Sequence, residues 1–134
     1  MITKKLFGEL NGSEVYEYTL ENKSGASVKI LTLGGIIRAI NVPDKNGVLA
    51  DVVCGYDDVN SYLTAGGYQG ALIGRFGNRI KNSRFTLDGK EYVLFNNEGN
   101  NHLHGGKEGF DKKLWSANAY ENGDTMYLEL SYFS

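Results

Sequence analysis

The feature that most constrains this chain is the pair Asp88-Gly89, set between Arg84-Phe85-Thr86-Leu87 and Lys90-Glu91-Tyr92-Val93-Leu94. Asp-Gly suits a two-residue turn whose central residues need positive φ, and the twist of that turn matches two antiparallel strands. Eighteen glycines stand against one proline, with nine tyrosines and six phenylalanines beside them. That asymmetry suggests tight turns between short strands and not a disordered linker.

The same grammar runs through most of the chain. Glu14 to Leu20 alternates, turn residues Glu21 to Gly25 follow, and Ser27 to Leu33 alternates again, which predicts a hairpin with a five-residue loop. After a flexible Gly34-Gly35 pair, Ile36 to Val42 and Val48 to Cys54 flank the turn Pro43-Asp44-Lys45-Asn46-Gly47 and predict a second hairpin. Leu114 to Tyr120 and Met126 to Tyr132 predict another across Glu121 to Asp124. Only Asp57 to Leu63 reads as helical, with Asp as cap and Val59, Tyr62 and Leu63 on one face. The expectation is an all-β chain of antiparallel hairpins, a β-sandwich or part of one, whose last strand leaves an open edge suited to self-association.

Charge is nearly balanced, with 14 Lys and Arg against 16 Asp and Glu. That leaves no basic footprint for nucleic acid or an anionic membrane surface. No apolar run approaches the length of a membrane-spanning helix, and the first ten residues lack a signal-peptide core. The single cysteine, Cys54, has no internal disulfide partner, which fits a reducing cytoplasm, and its setting in Asp51-Val52-Val53-Cys54-Gly55-Tyr56 reads as a buried core thiol.

Chemistry concentrates in two motifs. Asn101-His102-Leu103-His104-Gly105-Gly106 holds both histidines, the side chains best suited to move protons near neutral pH. At i and i+2 on an extended segment they would face the same way, as paired metal ligands can, but no third histidine exists and carboxylates alone would have to complete a zinc shell. Paired chemistry and ordinary loop histidines both remain open on the residues alone. Gly74-Arg75-Phe76-Gly77-Asn78-Arg79-Ile80 brackets amide and guanidinium donors that suit a polyhydroxylated ligand, and it lacks the pattern of a phosphate loop. For Arg79 the alternative is an ion pair at the surface or between strands.

Four ordered blocks carry a resemblance: Gln69 to Ile80; Phe85 with Leu87-Asp88-Gly89; Asn101 to Gly106; and Gly109-Phe110-Asp111-Lys112 with Trp115. Together with Leu33-Gly34-Gly35, Pro43-Asp44 and Asp51 to Tyr56, they make nearly the whole chain similar to the aldose 1-epimerases, or galactose mutarotases. The resemblance implies a galactose mutarotase-like supersandwich, with residues 1–134 as one N-terminal portion and therefore incomplete. It also implies interconversion of the α and β anomers of hexoses such as galactose and glucose, with no redox cofactor and no metal. By position, His104 matches the family's first active-site histidine and is the expected catalytic residue, while Asn78, Arg79 and His104 are the expected sugar-binding residues. His102 has no role in the motif and is expected to be a loop residue. The family's second histidine and its glutamate base have no counterpart among these residues, because no histidine follows His104 and Glu108, Glu121 and Glu129 do not match the base motif. The alternative is a non-catalytic carbohydrate-binding module, or an inactive fragment that self-associates.

Overall fold

A computed structural model describes residues 1–134, and its regular structure is mainly antiparallel strands. Strands β1 (Ile2–Leu10), β2 (Ser13–Glu21), β3 (Ser27–Leu31), β4 (Ile37–Pro43) and β5 (Leu49–Asp51) form one five-stranded meander in chain order. The loops that turn β2 into β3 and β4 into β5 use one device, an Asx side chain accepting from the backbone ahead of it. Asn22 Oδ1 accepts from Ser24 N and Ala26 N at 3.0 Å, and Asp44 Oδ1 accepts from Asn46 N at 2.7 Å and Val48 N at 2.9 Å.

Both predicted hairpins are present, and β1 adds a strand whose periodicity is blurred by Lys4 and Lys5. Those lysines serve the pairing. Lys4 Nζ lies 3.7 Å from the centre of the Tyr16 ring, and Lys5 stands opposite Glu17 in the register. Glu17 is fully buried on the inner face of β2, bonded to the Arg38 guanidinium, with Lys5 Nζ 3.1 Å from its other oxygen. Arg38 also reaches Asp57 at 3.0 Å. Burial pushes the Glu17 carboxyl up, but hydrogen bonds and charge from Arg38 and Lys5 outweigh this and hold it below the usual carboxylate range.

Helix α1 (Val59–Thr64) begins where Asp58 Oδ1 accepts from Ser61 N at 2.8 Å. It lies over the bulge in β1, where a Cβ on Gly8 would sit 2.8 Å from Val59 Cγ2. Val59 and Tyr62 face inward, whereas Leu63, expected on the same face, stays exposed because six residues cannot carry a wide apolar stripe. The core is Val15, Leu31, Leu33, Ile36 and Val59, flanked by Phe7, Leu10, Tyr62, Ala71 and Leu114.

Beyond α1 the strands form separate two-stranded pairs. β6 (Arg79–Ile80) pairs with β9 (His102–Leu103), β7 (Arg84–Leu87) with β8 (Lys90–Val93) across the predicted Asp-Gly turn, and β10 (Ser116–Asn122) with β11 (Thr125–Ser131). Backbone bonds from Trp115 N to Thr32 O and from Gly34 N to Lys113 O, both 2.8 Å, tie this part to the meander. Gly34 is a packed junction and not the flexible joint expected: its φ is +62° and a Cβ there would lie 2.3 Å from Asp111 O.

Only 16 of 134 residues are buried, and large apolar side chains stay uncovered, Phe85, Leu87 and Val93 on the β7–β8 hairpin and Phe76 and Phe95 in loops. Cys54 is among the exposed residues, which corrects the expectation of a core thiol: β5 stops at Asp51, and the chain has left the sheet before it reaches the cysteine. No helix is long and apolar enough to cross a membrane.

Candidate functional site

The two sequence motifs meet at the short β6–β9 ladder, where Arg79 pairs with Leu103 and Ile80 with His102. One residue outside it, Asn78 and His104 bond reciprocally. His104 N donates to Asn78 O at 3.1 Å, and Asn78 N donates to His104 Nδ1 at 2.9 Å. Both residues sit at positive φ, +67° for Asn78 and +52° for His104, so the chain turns sharply at each and presents its side chain off the ladder. Because Nδ1 accepts, the proton of the neutral imidazole belongs on Nε2, leaving an N–H donor on the far side of the ring.

His102 is wired the opposite way. Its ring lies buried, with Nδ1 2.9 Å from the carbonyl oxygen of Phe95. A carbonyl only accepts, so here Nδ1 carries the proton. The expectation of a loop residue is thus corrected to a buried residue of β9, although it stays apart from the Asn78–His104 pair. Since the strand ends at Leu103 and His104 turns into the left-handed region, the two imidazoles do not present the common face that an extended segment would give them.

Each glycine of the motif has its own task. A Cβ on Gly105 would fall 1.9 Å from Gly74 O, so this glycine lets the histidine loop touch the Gly74-to-Ile80 segment. A Cβ on Gly106 would fall 2.7 Å from His102 Cε1, so its absence makes room for the buried ring.

Arg79 is held by Glu98, its Nε lying 2.9 and 3.0 Å from the two carboxylate oxygens, while its Nη1 donates to Asn78 Oδ1 at 3.3 Å. The ion-pair alternative for Arg79 is therefore realised, and it leaves the Asn78 amide nitrogen free to donate outward. Hydrogen bonds from Arg79 and then Asn101 hold the Glu98 carboxyl below its usual range, and Glu98 in turn raises the Arg79 guanidinium. Glu98 had not stood out in the sequence, although one acid among Asn96, Asn97, Asn100 and Asn101 is a visible signal for a paired arginine.

Tyr68 also escaped notice. Its ring meets the His104 imidazole edge to face, with centroids 4.7 Å apart. Near both, Asp111 is half-buried: desolvation pushes its carboxyl up, and the charge of Lys112 and a backbone hydrogen bond pull it only part of the way back. The site thus offers an imidazole N–H, an amide and a guanidinium at one edge of a β scaffold, a donor set matched to the lone pairs of sugar hydroxyl and ring oxygens.

The three glutamates that follow the histidine loop in sequence are engaged elsewhere. Glu108 accepts from Lys113 Nζ at 3.0 Å, Glu121 lies 3.7 Å from the N-terminal amine, and Glu129 accepts from Asn118 and Tyr120.

Comparison with known proteins bears on the fold and the family. The sequence profile described as aldose 1-epimerase matches residues 16–134. Galactose mutarotase of Bos taurus is 43% identical over 124 residues, covering 91% of this chain and 36% of its own length. Aldose 1-epimerase of Escherichia coli K12 is 38% identical over 97 residues, covering 72% of this chain and 28% of its own. The crystal structure of galactose 1-epimerase from Lactobacillus acidophilus NCFM shares the fold, with a TM-score of 0.81 over 97% of this chain and 37% of that one at 22% identity. An aldose epimerase homologue from C. elegans gives 0.72 over 77% of this chain and 32% of that one at 34% identity. The chain therefore spans about a third of the length of the curated relatives it matches. With its profile match, its relatives and its antiparallel sandwich-like architecture, this chain belongs to the aldose 1-epimerase family.

Proposed function

We propose that residues 1–134 form one portion of an epimerase sandwich that binds an aldohexose such as galactose or glucose, with Asn78, Arg79 and His104 as the sugar-contacting residues and His104 as the catalytic one. The observation that carries this reading is the reciprocal Asn78–His104 bonding, which leaves His104 Nε2–H as a directed donor.

Mutarotation needs one proton removed and one delivered. A base takes the proton of the anomeric hydroxyl while an acid protonates the ring oxygen, the C1–O5 bond breaks, and an open-chain aldehyde forms. Rotation about C1–C2 turns the other carbonyl face towards the C5 hydroxyl, and the reverse transfers close the ring. In this scheme His104 Nε2–H donates to the ring oxygen or a neighbouring hydroxyl, and Arg79 and Asn78 hold the hydroxyls on either side. Glu98 is a poor base because Arg79 stabilises its ionised form.

The engagement of Glu108, Glu121 and Glu129 favours a second reading, in which this chain binds sugar without exchanging anomers. Calorimetry with galactose and polarimetry on freshly dissolved α-D-galactose separate the two. Binding with accelerated mutarotation supports the enzyme, binding alone supports the module, and neither overturns the sugar site. A cytoplasmic setting belongs to the same proposal, since the exposed lone thiol of Cys54 is suited to a reducing compartment. So does self-association through the open sheet edge, which sedimentation tests.

A further inference from the structure

The β6–β9 ladder has two residue pairs, too few to hold a catalytic side chain by backbone bonds alone. A third element is bonded to it from the other side, and that element is a side chain. Asn97 Oδ1 accepts from Leu103 N at 2.8 Å, and Asn97 Nδ2 donates to Leu103 O at 2.9 Å. One primary amide thereby satisfies both backbone groups of the residue before His104, in the manner of a neighbouring peptide unit in a sheet. Asn97 Nδ2 also lies 3.5 Å from the hydroxyl of Tyr68, whose ring packs edge-on against the His104 imidazole.

These contacts bear on His104 from two directions. Leu103 is fixed by Asn97, so the backbone entering His104 is fixed, and the left-handed turn at His104 follows from a held position. Tyr68 bounds the ring itself. What remains is the single orientation in which Nδ1 meets Asn78 N–H.

We infer that Asn97 is a positioning residue of the site: its side-chain amide replaces a missing strand beside Leu103 and, with Tyr68, fixes His104 in the Nε2–H tautomer facing the sugar. The inference rests on the sugar-binding reading for its purpose, but not for its geometry. The amide must both accept and donate. An aspartate keeps the acceptor for Leu103 N–H and sets a second acceptor against Leu103 O, so Asn97→Asp is nearly isosteric and breaks half of the bonding.

The test uses the whole chain, labelled with nitrogen-15 in its imidazoles. Long-range proton–nitrogen spectra at a pH where both rings are neutral distinguish a protonated from a bare ring nitrogen. The original chain should show His104 with bare Nδ1 and protonated Nε2, and His102 with the reverse. In Asn97→Asp, His104 should become a mixture of tautomers while the amide resonances of residues 2–51 stay in place. Asn97→Ala should do the same and more completely.

A His104 signature unchanged in the folded variants overturns the inference. So does global unfolding of both variants, which would make Asn97 a residue of the fold and not of the site. Galactose titration of the same samples forms a separate arm, with an expected loss of about tenfold in affinity for Asn97→Asp, the scale of one positioned hydrogen bond. If the original chain binds no sugar, the proposed function fails while the imidazole spectra still decide the role of Asn97.

Discussion

In the meander, β2 is bonded along both edges, to β1 from Ile2 through Leu10 and to β3 from Glu17 through Glu21. In the region carrying the site, β6 and β9 share two pairs, and side chains make up the difference: Asn97 on Leu103, Glu98 on Arg79, the His104 imidazole on Asn78 N. The first region draws its order from a repeated backbone pattern and a buried core, the second from particular polar side chains and from glycines that allow close approach. The physical consequence is a division of labour. Stability resides where apolar side chains are buried, and the donors for a ligand stand where the ladder is too short to consume them.

The largest effect should come from the core of the meander. Leu31 is fully buried in contact with the central cluster, so Leu31→Ala should cost about 3 kcal/mol from lost burial and the cavity left behind. A urea titration followed by far-ultraviolet circular dichroism measures it. A loss below about 1 kcal/mol would mean that the meander does not dominate stability and would dissolve the comparison.

Glu17 sharpens the same contrast through pH. Its folded carboxyl titrates below the free group, so the stabilisation is fully present above the ordinary carboxylate value of about 4.3 and is lost as pH falls through the lower folded value. Glu17→Gln should remove that acid dependence and destabilise the chain at neutral pH by about 3 kcal/mol, because Arg38 is left mostly buried with only the exposed Asp57. Unfolding midpoints at pH 7 and pH 4 for both proteins check it: the gap between original and variant should narrow in acid. A gap that widens in acid contradicts the assignment of Glu17 as an ionised anchor.

The meander was legible in the sequence because its alternation is regular and its turns carry their own chemistry, Asn22 and Asp44 at the loop starts and Gly47 at the end. The Asp88-Gly89 hairpin was legible for the same reason. The candidate site was legible through resemblance and less through pattern. Asn78, Arg79 and His104 stand in motifs, but Glu98 and Tyr68 join them only by folding, 19 residues beyond Arg79 in one case and through an aromatic contact in the other. Cys54 and Leu63 are exposed against expectation because an apolar neighbourhood in sequence does not say where a strand or helix stops.

On the site side, Arg79→Ala should weaken galactose binding by about tenfold or more, since a charged hydrogen bond to the ligand is lost. It should leave the thermal midpoint nearly unchanged, because the Arg79–Glu98 pair is substantially exposed. Calorimetry and a thermal melt on the same preparation read both quantities. A large fall in midpoint with affinity intact would reverse the division of labour and make Arg79 a structural residue.

The smallest expected effect lies on the β7–β8 hairpin. Leu87 is 55% exposed and its neighbours across the turn are open to water, so truncating it removes little surface that folding had buried. Leu87→Ala should change the unfolding free energy by less than about 0.5 kcal/mol, the scale of ordinary surface substitutions. The informative departure is a concentration-dependent one. If the loss reaches about 2 kcal/mol at high protein concentration and vanishes on dilution, the hairpin face is covered by a second copy, because only association makes stability depend on concentration. If the loss is large at every concentration, the face is covered within the chain itself, and the second region has a core of its own. A small value throughout keeps the hairpin as open surface and leaves the meander as the part of the molecule whose burial holds it folded.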